Sequence, residues 1–548
     1  MGKNFVDKLK DYRLVMLLAF VLVTFFANIS VLPTDIMESR NIVTGREMVS
    51  DGNWLVPTMN GELRLEKPPL PTWVAGLMEM IAPGSMAVQR CAAGVMGVLW
   101  TAFLFLLANY ISRRRDFAVV STVVFLTCYN LILMGRSATW DIYCHAFMMA
   151  AVYFLTRALC ENCHTHRRFA LAGLFLGLSF LSKGPVSFYT ILLPYLIVLV
   201  AFLRPSIKGK WAGLAMMLFI MIAVGSWWYI YLLSMHPEES TYVFHKESSS
   251  WANHNVRPWW YYWQFFLEMG VWAILMLAAL AVSYWKRHIT MKREYLIFFT
   301  WSVACLVLLS LMPEKKTRYL LPLLAPCSLL VGTLVMHFCQ GKPADKFSRR
   351  LFPVNGWIVV CIVVAIPVLG YFLGVRKGII SIPAETVIAI AVLAIVCIMV
   401  HSIVKWHPAR FIGCIAAVFA VIELLMLPVV GSAVGNPEAR SIHLIHGNEE
   451  LKDVPFYHSA DEPLRIELVY EAERKILPLD ISDSATIMQH LPMVVVTRQP
   501  LETELPASVL GKVEIHSYGL FDDNKLPRNH RHHIDDFLNY VSLVSAKE

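Results

Sequence analysis

Apolar runs long enough to cross a membrane recur along almost the whole of this chain, and no other feature limits its fold as much. A span needs roughly 20 mainly apolar residues, and about thirteen segments meet that length or come close to it. They are 14–32, 86–108, 117–134, 141–159, 168–181, 184–203, 211–233, 264–284, 295–311, 319–339, 354–374, 385–404 and 410–430. In hydrocarbon a segment must satisfy its own backbone N–H and C=O groups, which makes these runs helices. Composition agrees: 57% of the 548 residues are hydrophobic and 16% charged, against about 25% charged in soluble domains. The expected class is a polytopic all-α membrane protein.

The first run, Leu14 to Val31, is too long for a signal-peptide core and has no clear cleavage site, so it reads as a retained span. The net charge of +8 does not point to nucleic acid, because the basic residues are dispersed between apolar runs. The 11 cysteines suggest no disulfide framework. Cys160, Cys163, His164 and His166 lie close together, but no second ligand pair follows, and the segment reads as a turn.

Basic residues set an expected sidedness. With Lys3, Lys8 and Lys10 in the cytoplasm, alternate connections carry Arg113 to Arg115, Arg167 and Arg168, Lys208 and Lys210, Lys286 and Arg287, Arg349 and Arg350, and Lys405 with Arg410. The alternation persists to the last span. That places residues 431–548 outside, where short apolar alternations at Val454–His458, Lys475–Leu479, Met493–Thr497 and Lys512–Tyr518 suggest a small α/β domain. Two domains are expected: a membrane catalytic domain over 1–430, with outside loops at 33–73 and 234–263, and an exoplasmic domain over 431–548. Within the tail, the run His530 to His533 reads as a solvated turn.

The connection 33–73 has far more charge than a turn requires. It holds Asp35, Glu38, Arg40, Arg46, Glu47, Asp51, Glu62, Arg64, Glu66 and Lys67. Charged connections on a rigid scaffold are where binding and chemistry gather. Asp35 to Val49 reads as a short interfacial helix ending before Gly52. Other outside connections add Asp141, Lys183, Arg257 and the run Lys315 to Tyr319. Asp141 follows Thr139, a residue type suited to a helix N-cap, and the helix dipole there favours an ionised carboxylate. Glu423 sits inside the last span and is given no role.

No Walker loop or dinucleotide fingerprint is present. An enzyme working at an outer membrane face without nucleotides needs an activated substrate already in the membrane. A sugar on a polyprenyl phosphate is such a substrate. Its phosphate leaves readily once cations neutralise it, and a carboxylate then orients or deprotonates the attacking group. Lys67, Arg40, Arg64, Lys183, Arg257 and Arg318 supply cations; Glu38, Asp35 and Asp141 supply carboxylates. The aromatic cluster Trp259 to Trp263 fits an interface belt or sugar and isoprenoid stacking equally.

These residues carry a resemblance. Met37-Glu38-Ser39-Arg40-Asn41, Arg46-Glu47-Met48, Gly52-Asn53-Trp54-Leu55-Val56-Pro57, Glu66-Lys67-Pro68, Asp141, Lys183-Gly184 and Thr317-Arg318-Tyr319 resemble motifs of the GT-C membrane glycosyltransferases, in particular the lipid A aminoarabinose transferase and protein O-mannosyltransferase branches. The resemblance implies a GT-C-like fold of about 13 transmembrane helices, set in a bacterial inner membrane, with a periplasmic C-terminal domain. It implies an undecaprenyl-phosphate-linked sugar as donor and a lipid A-like phosphate, a protein or a glycan as acceptor. Lys67 and Tyr319 inherit phosphate and substrate binding, and Glu66 inherits proximity to a divalent metal. The family's catalytic aspartate falls at Met37, which cannot act as acid or base, so that part passes to Glu38 or Asp35. The rival class is a transporter or flippase of lipid-linked sugars. It is disfavoured because no internal repeat is visible and the ionisable residues collect at one face.

Overall fold

The computed structural model of the chain describes residues 12–434, 436, 438–531 and 533–547. Lys3, Lys8, Lys10 and His532 lie outside the described residues. Among the described residues, nine helices are long and apolar enough to cross a membrane: Met86–Ser112, Trp140–Cys160, Trp211–Met235, Trp259–Ala279, Lys292–Leu311, Thr317–Cys339, Lys346–Val375, Ile382–Val404 and Pro408–Val429. The other expected spans are also helical but shorter or interrupted. Tyr12–Phe26 and Phe188–Leu203 are short apolar helices. Thr165–Lys183 carries charge at both ends. The run 117–134 breaks into Arg115–Leu126 and Tyr129–Met134. At that break the Thr127 hydroxyl donates to the Val123 carbonyl at 2.7 Å and accepts from the Trp272 indole at 2.7 Å. A further apolar helix, Leu70–Ile81, had no sequence counterpart among the expected spans.

The chain divides into two compact units, and the division differs from the expected cut at 430. One unit comprises 1–29, 65–71 and 90–429; the other comprises 30–64, 72–89 and 430–548. The first charged connection therefore belongs largely with the C-terminal residues. Val43 shares a buried apolar core with Ile442, Ile445, Phe456 and Ile476, and the Asn60 side chain donates to the Ile476 carbonyl at 2.6 Å. These contacts join residues hundreds of positions apart, so no local pattern announces them.

In the membrane unit, small residues allow a close helix approach. Gly173 and Gly177 lie four apart on Thr165–Lys183, against Met217 and Val224 of Trp211–Met235. A Cβ on either would collide with that neighbour, which is the small-residue spacing that lets membrane helices pack backbone to backbone. Two buried arginines hold the end of the first helix. Arg136 donates to the carbonyls of Thr24 and Ala27 at 2.6 and 2.7 Å, and Arg90 to that of Ile29 at 3.0 Å. Glu423 faces Arg136 at 3.7 Å, so it is paired within the bundle. All eleven cysteines are free, Cys160 and Cys163 among the exposed ones.

The second unit opens with the helix Ile36–Asp51, close to its expected bounds. A capping box starts it: Asp35 accepts from the backbone N–H of Met37 and Glu38, and Glu38 accepts in return from Asp35 N–H. Gly52, at φ 75°, ends it in the left-handed conformation that glycine adopts without strain. A hairpin follows, β1 (Thr58–Met59) with β2 (Glu62–Leu63). The Glu47 carboxylate pins this turn, accepting from the Thr58 hydroxyl at 2.7 Å and from Asn60 and Gly61 N–H at 2.5 and 3.1 Å.

The C-terminal residues form β3 (Phe456–Ser459), β4 (Ile476–Leu479), β5 (Met493–Thr497), β6 (Val513–Asp522) and β7 (Leu538–Ala546), in the order β4-β3-β5-β7-β6. The β3, β4 and β5 strands run parallel; β7 is antiparallel to β5 and β6. Central β5 is buried on both faces: Val494 and Val496 enter one core, Met493 and Val495 the other. The expected α/β class holds, and β7 adds a strand the expectation lacked. His533 lies in a polar turn, its ring 3.3 Å from the Asn524 amide.

Two buried carboxylates give this unit a pH dependence. Burial, reinforced by Asp523, pushes Glu471 up to about 7 from 4.5, and burial pushes Asp523 up to about 6 from 3.8. A raised folded-state value means that stability is fully present below the unfolded values and is lost as pH rises through the folded ones. Protection of the sheet amides against hydrogen exchange, corrected for intrinsic rates, should therefore fall between pH 4 and pH 7 in the full chain. Glu471→Gln should remove about half of that slope, since Asp523 keeps its own shift; an unchanged slope would contradict the assignment.

Candidate active site

Asp141 opens the membrane helix Trp140–Cys160, and 3% of it is exposed. An ionised group there needs a partner, because an isolated charge in a low-dielectric setting is very costly. Lys183 supplies it: its ammonium donates to Asp141 Oδ1 in an ion pair in which both side chains are largely buried. Lys183 ends Thr165–Lys183, the helix that packs back along Trp140–Cys160, and Gly184 at φ 67° turns the chain away. Thr139 does occupy the N-cap position, but its hydroxyl makes no capping bond, which corrects the expected cap.

The Thr317–Leu323 turn adds the third side. The Tyr319 ring has Lys183 at 5.4 Å, Arg318 at 5.6 Å and Lys316 at 5.8 Å from its centre. Four of the expected site residues, Asp141, Lys183, Arg318 and Tyr319, thus meet at one helix end. One turn along, His145 Nδ1 lies 2.7 Å from the Ser187 hydroxyl. Sequence reasoning passed over this His–Ser pair; its only signal was the i, i+4 spacing from Asp141.

A second constellation surrounds Glu66 and Lys67. Pro237 at the first helical turn, followed by Glu238 and Glu239, starts the helix Pro237–Asn253 inside what the sequence suggested was a loop. Its Lys246-Glu247 pair faces Glu66-Lys67 reciprocally, with Lys67–Glu247 at 3.0 Å and Lys246–Glu66 at 3.3 Å. Neither acidic nor basic partner was foreseen, since 180 positions separate each pair. Among the described residues no three His, Cys, Asp or Glu side chains gather to hold a metal ion. Glu66 instead faces an ammonium, and the side chains present there do not form a divalent-metal donor set.

The same helix leads on to the aromatic and basic residues. Trp251 O accepts from Glu314 N–H, and the Trp251 ring meets Tyr189 edge to face at 6.5 Å. Glu314 holds Lys316 at 2.6 Å, and the Tyr262 hydroxyl donates to Lys316 O at 3.1 Å. Burial pulls Lys315 below its ordinary value. Arg257 is exposed, and its guanidinium has no hydrogen-bond or ion-pair partner among the described residues. The unit therefore presents Arg257 as an available cation beside paired ones.

Four expected residues lie in the other unit, and their surroundings there are local. The Asp35 carboxylate caps its own helix and Glu38 completes that cap. Asp35 Oδ1 accepts the backbone N–H groups of Met37 and Glu38. Arg40 keeps a buried Nε without a partner. Arg64 is 7% exposed, with its Nη1 2.6 Å from the Met59 sulfur, so it braces the hairpin. Arg46 pairs with Glu79 at 3.2 Å.

Comparison with known proteins agrees with the resemblance read from the sequence. Residues 66–230 match the family model described as dolichyl-phosphate-mannose-protein mannosyltransferase. The undecaprenyl phosphate-alpha-4-amino-4-deoxy-L-arabinose arabinosyl transferase of an Enterobacter species is 28% identical over 66% of this chain and 66% of its own length. The second such transferase of Proteus mirabilis is 27% identical over 64% of this chain and 63% of its own. The matched segments thus span just under two thirds of these relatives. In three dimensions the chain is similar to ArnT from Cupriavidus metallidurans, solved bound to undecaprenyl phosphate: TM-score 0.68, 17% identity, covering 96% of this chain and 97% of that one. The chain has the fold of that protein over nearly its whole length.

The buried pair yields a direct test. Removing one member of a buried ion pair costs about 3–5 kcal/mol, because the other charge is left uncompensated. Asp141→Asn and Lys183→Met should each lower stability by that order in detergent-solubilised protein followed by intrinsic fluorescence. The double variant should lose distinctly less than the sum, and strict additivity would show that the two groups do not interact.

Proposed function

We propose that this chain is an integral-membrane glycosyltransferase that moves a sugar from a polyprenyl-phosphate donor to an acceptor at the outer face of a bacterial inner membrane. The observation that carries this reading is the meeting of Asp141, Lys183, Arg318 and Tyr319 at the head of a membrane helix. The names of the relatives, which are undecaprenyl-phosphate-linked sugar transferases, support the same donor class. They favour transfer over the transporter alternative. The alternation of basic connections supports a cytoplasmic N-terminus and a periplasmic C-terminal sheet.

The chemistry follows from the charges. An acceptor oxygen attacks the anomeric carbon, the bond from that carbon to the phosphate oxygen breaks, and the phosphate leaves with the electron pair. Its growing negative charge needs fixed cations at the moment of cleavage. Arg257 meets the donor phosphate in this reading, with Arg318 and Lys183 completing the positive field. Asp141 acts as a positioning residue: it holds Lys183 against the Tyr319 ring rather than taking up a proton. A phosphate acceptor such as that of lipid A is already mostly ionised near neutral pH, so this route requires no base.

Purified protein supplied with an undecaprenyl-phosphate-linked sugar and lipid A should give the sugar-modified lipid, detected by mass spectrometry. Arg318→Gln should lower kcat/KM by about 100-fold or more, the scale of losing a charge-stabilising donor. Full transfer by Arg318→Gln and Asp141→Asn together would defeat the site assignment. Substrate flux in proteoliposomes with no covalent product would favour the transporter.

A further inference from the structure

The helix Trp140–Cys160 carries a second polar site at its other end. Twenty residues at about 1.5 Å each put Glu161 roughly 30 Å from Asp141 along the axis. A cavity of about 340 Å³ opens there. Met86–Ser112 contributes Leu106 and Tyr110 to its wall, and Arg113 just past its end joins them; Tyr153, Arg157 and Glu161 face them.

The charges in this cavity do not balance. Glu161 accepts from Arg157 at 3.2 and 3.1 Å and pairs with Arg168 at 2.6 Å. One carboxylate thus serves two guanidiniums. The third, Arg113, is exposed and has no carboxylate partner among the described residues. Its left-handed backbone, φ 56°, brings the guanidinium over the Tyr110 ring at 4.7 Å. The neighbouring Arg114 behaves differently and pairs with Asp116 at 2.8 Å. A helix C-terminus would normally repel an anion. Here a buried ammonium offsets it: Lys210 donates to the carbonyls of Ala158, Leu159 and Glu161 at 3.1, 2.5 and 3.0 Å.

The wall also has a polarity gradient. Leu106 is exposed, and Phe103 beneath it packs against Tyr153 at 5.6 Å. Tyr110 stands one turn further along that helix, and Arg113 follows directly after its last residue. An ordinary basic connection that only sets sidedness would point its cations into water. This one places an apolar strip below tyrosines and arginines, the sequence of environments that runs from an acyl chain to a phosphate.

We propose that this cavity binds the phosphate head group of an anionic membrane lipid, held by Arg113 and Arg157, with Leu106 against the lipid's chain. The site lies at the end of the helix away from Asp141 and stands independently of the reaction proposed there.

Native mass spectrometry of the full chain, released from nanodiscs of phosphatidylglycerol or of phosphatidylcholine, tests this. Phosphatidylglycerol should be retained and phosphatidylcholine lost. Arg113→Gln should weaken retention about tenfold, the loss of one charge-assisted contact. Arg113→Lys keeps the charge without the planar fork and should weaken it a few-fold, which preserves the test if the glutamine variant folds poorly. Arg167→Gln, exposed near the same helix end but outside the cavity, should change nothing. Equal retention of both lipids, or no effect of either Arg113 variant, would overturn the proposal. So would binding of inorganic phosphate that Arg113→Gln abolishes while phosphatidylglycerol retention is unchanged, since the site would then take a free anion.

Discussion

A carboxylate at the head of a membrane helix persists only with a cation against it, and Lys183 gives Asp141 that cation. The pairing requires two helices to lie side by side over their full length, so that the end of Thr165–Lys183 returns to the start of Trp140–Cys160. The next helix, Trp211–Met235, then approaches closely because Gly173 and Gly177 leave room for its backbone. Packing without large side chains and the placing of one buried charge pair are thus the same structural arrangement. Tyr319 meets that pair from a separate turn, which brings Lys316 and Arg318 with it.

The charged side chains in this unit fall into two kinds. Some are fully matched, such as Glu66-Lys67 against Lys246-Glu247, and these fix one segment against another. Others, such as Arg257 and Arg113, have no carboxylate partner among the described residues. Matched pairs cost desolvation and give geometry in return. Unmatched cations near membrane helix ends give a field that an anion can answer.

Much of the fold was legible because hydrocarbon leaves the backbone so few choices. The apolar runs marked the helices, and the residues Asp141, Lys183, Arg318 and Tyr319 stood out as charge or aromatic character at run boundaries. The capped helix after Asp35 was equally readable, since its box and its terminal glycine are local signals. What escaped were contacts between distant positions. Lys67 finds Glu247 only because Pro237–Asn253 is helical. Val43 joins Ile442 and Phe456 in one core although a membrane unit lies between them in sequence. Asp35 also shows a residue type with more than one use: the same carboxylate that suits a base also suits a helix cap, and its hydrogen bonds show the cap.

The central claim is that the cluster around Asp141 and Lys183 creates a field for a lipid-linked phosphate. The most direct measurement is the affinity of the full chain for a short-chain polyprenyl monophosphate, titrated in detergent for the native protein, Arg257→Gln and Arg318→Gln. The account predicts that each variant binds at least tenfold more weakly and that raising ionic strength weakens the native protein further. Native affinity in both variants would place the phosphate elsewhere and contradict it.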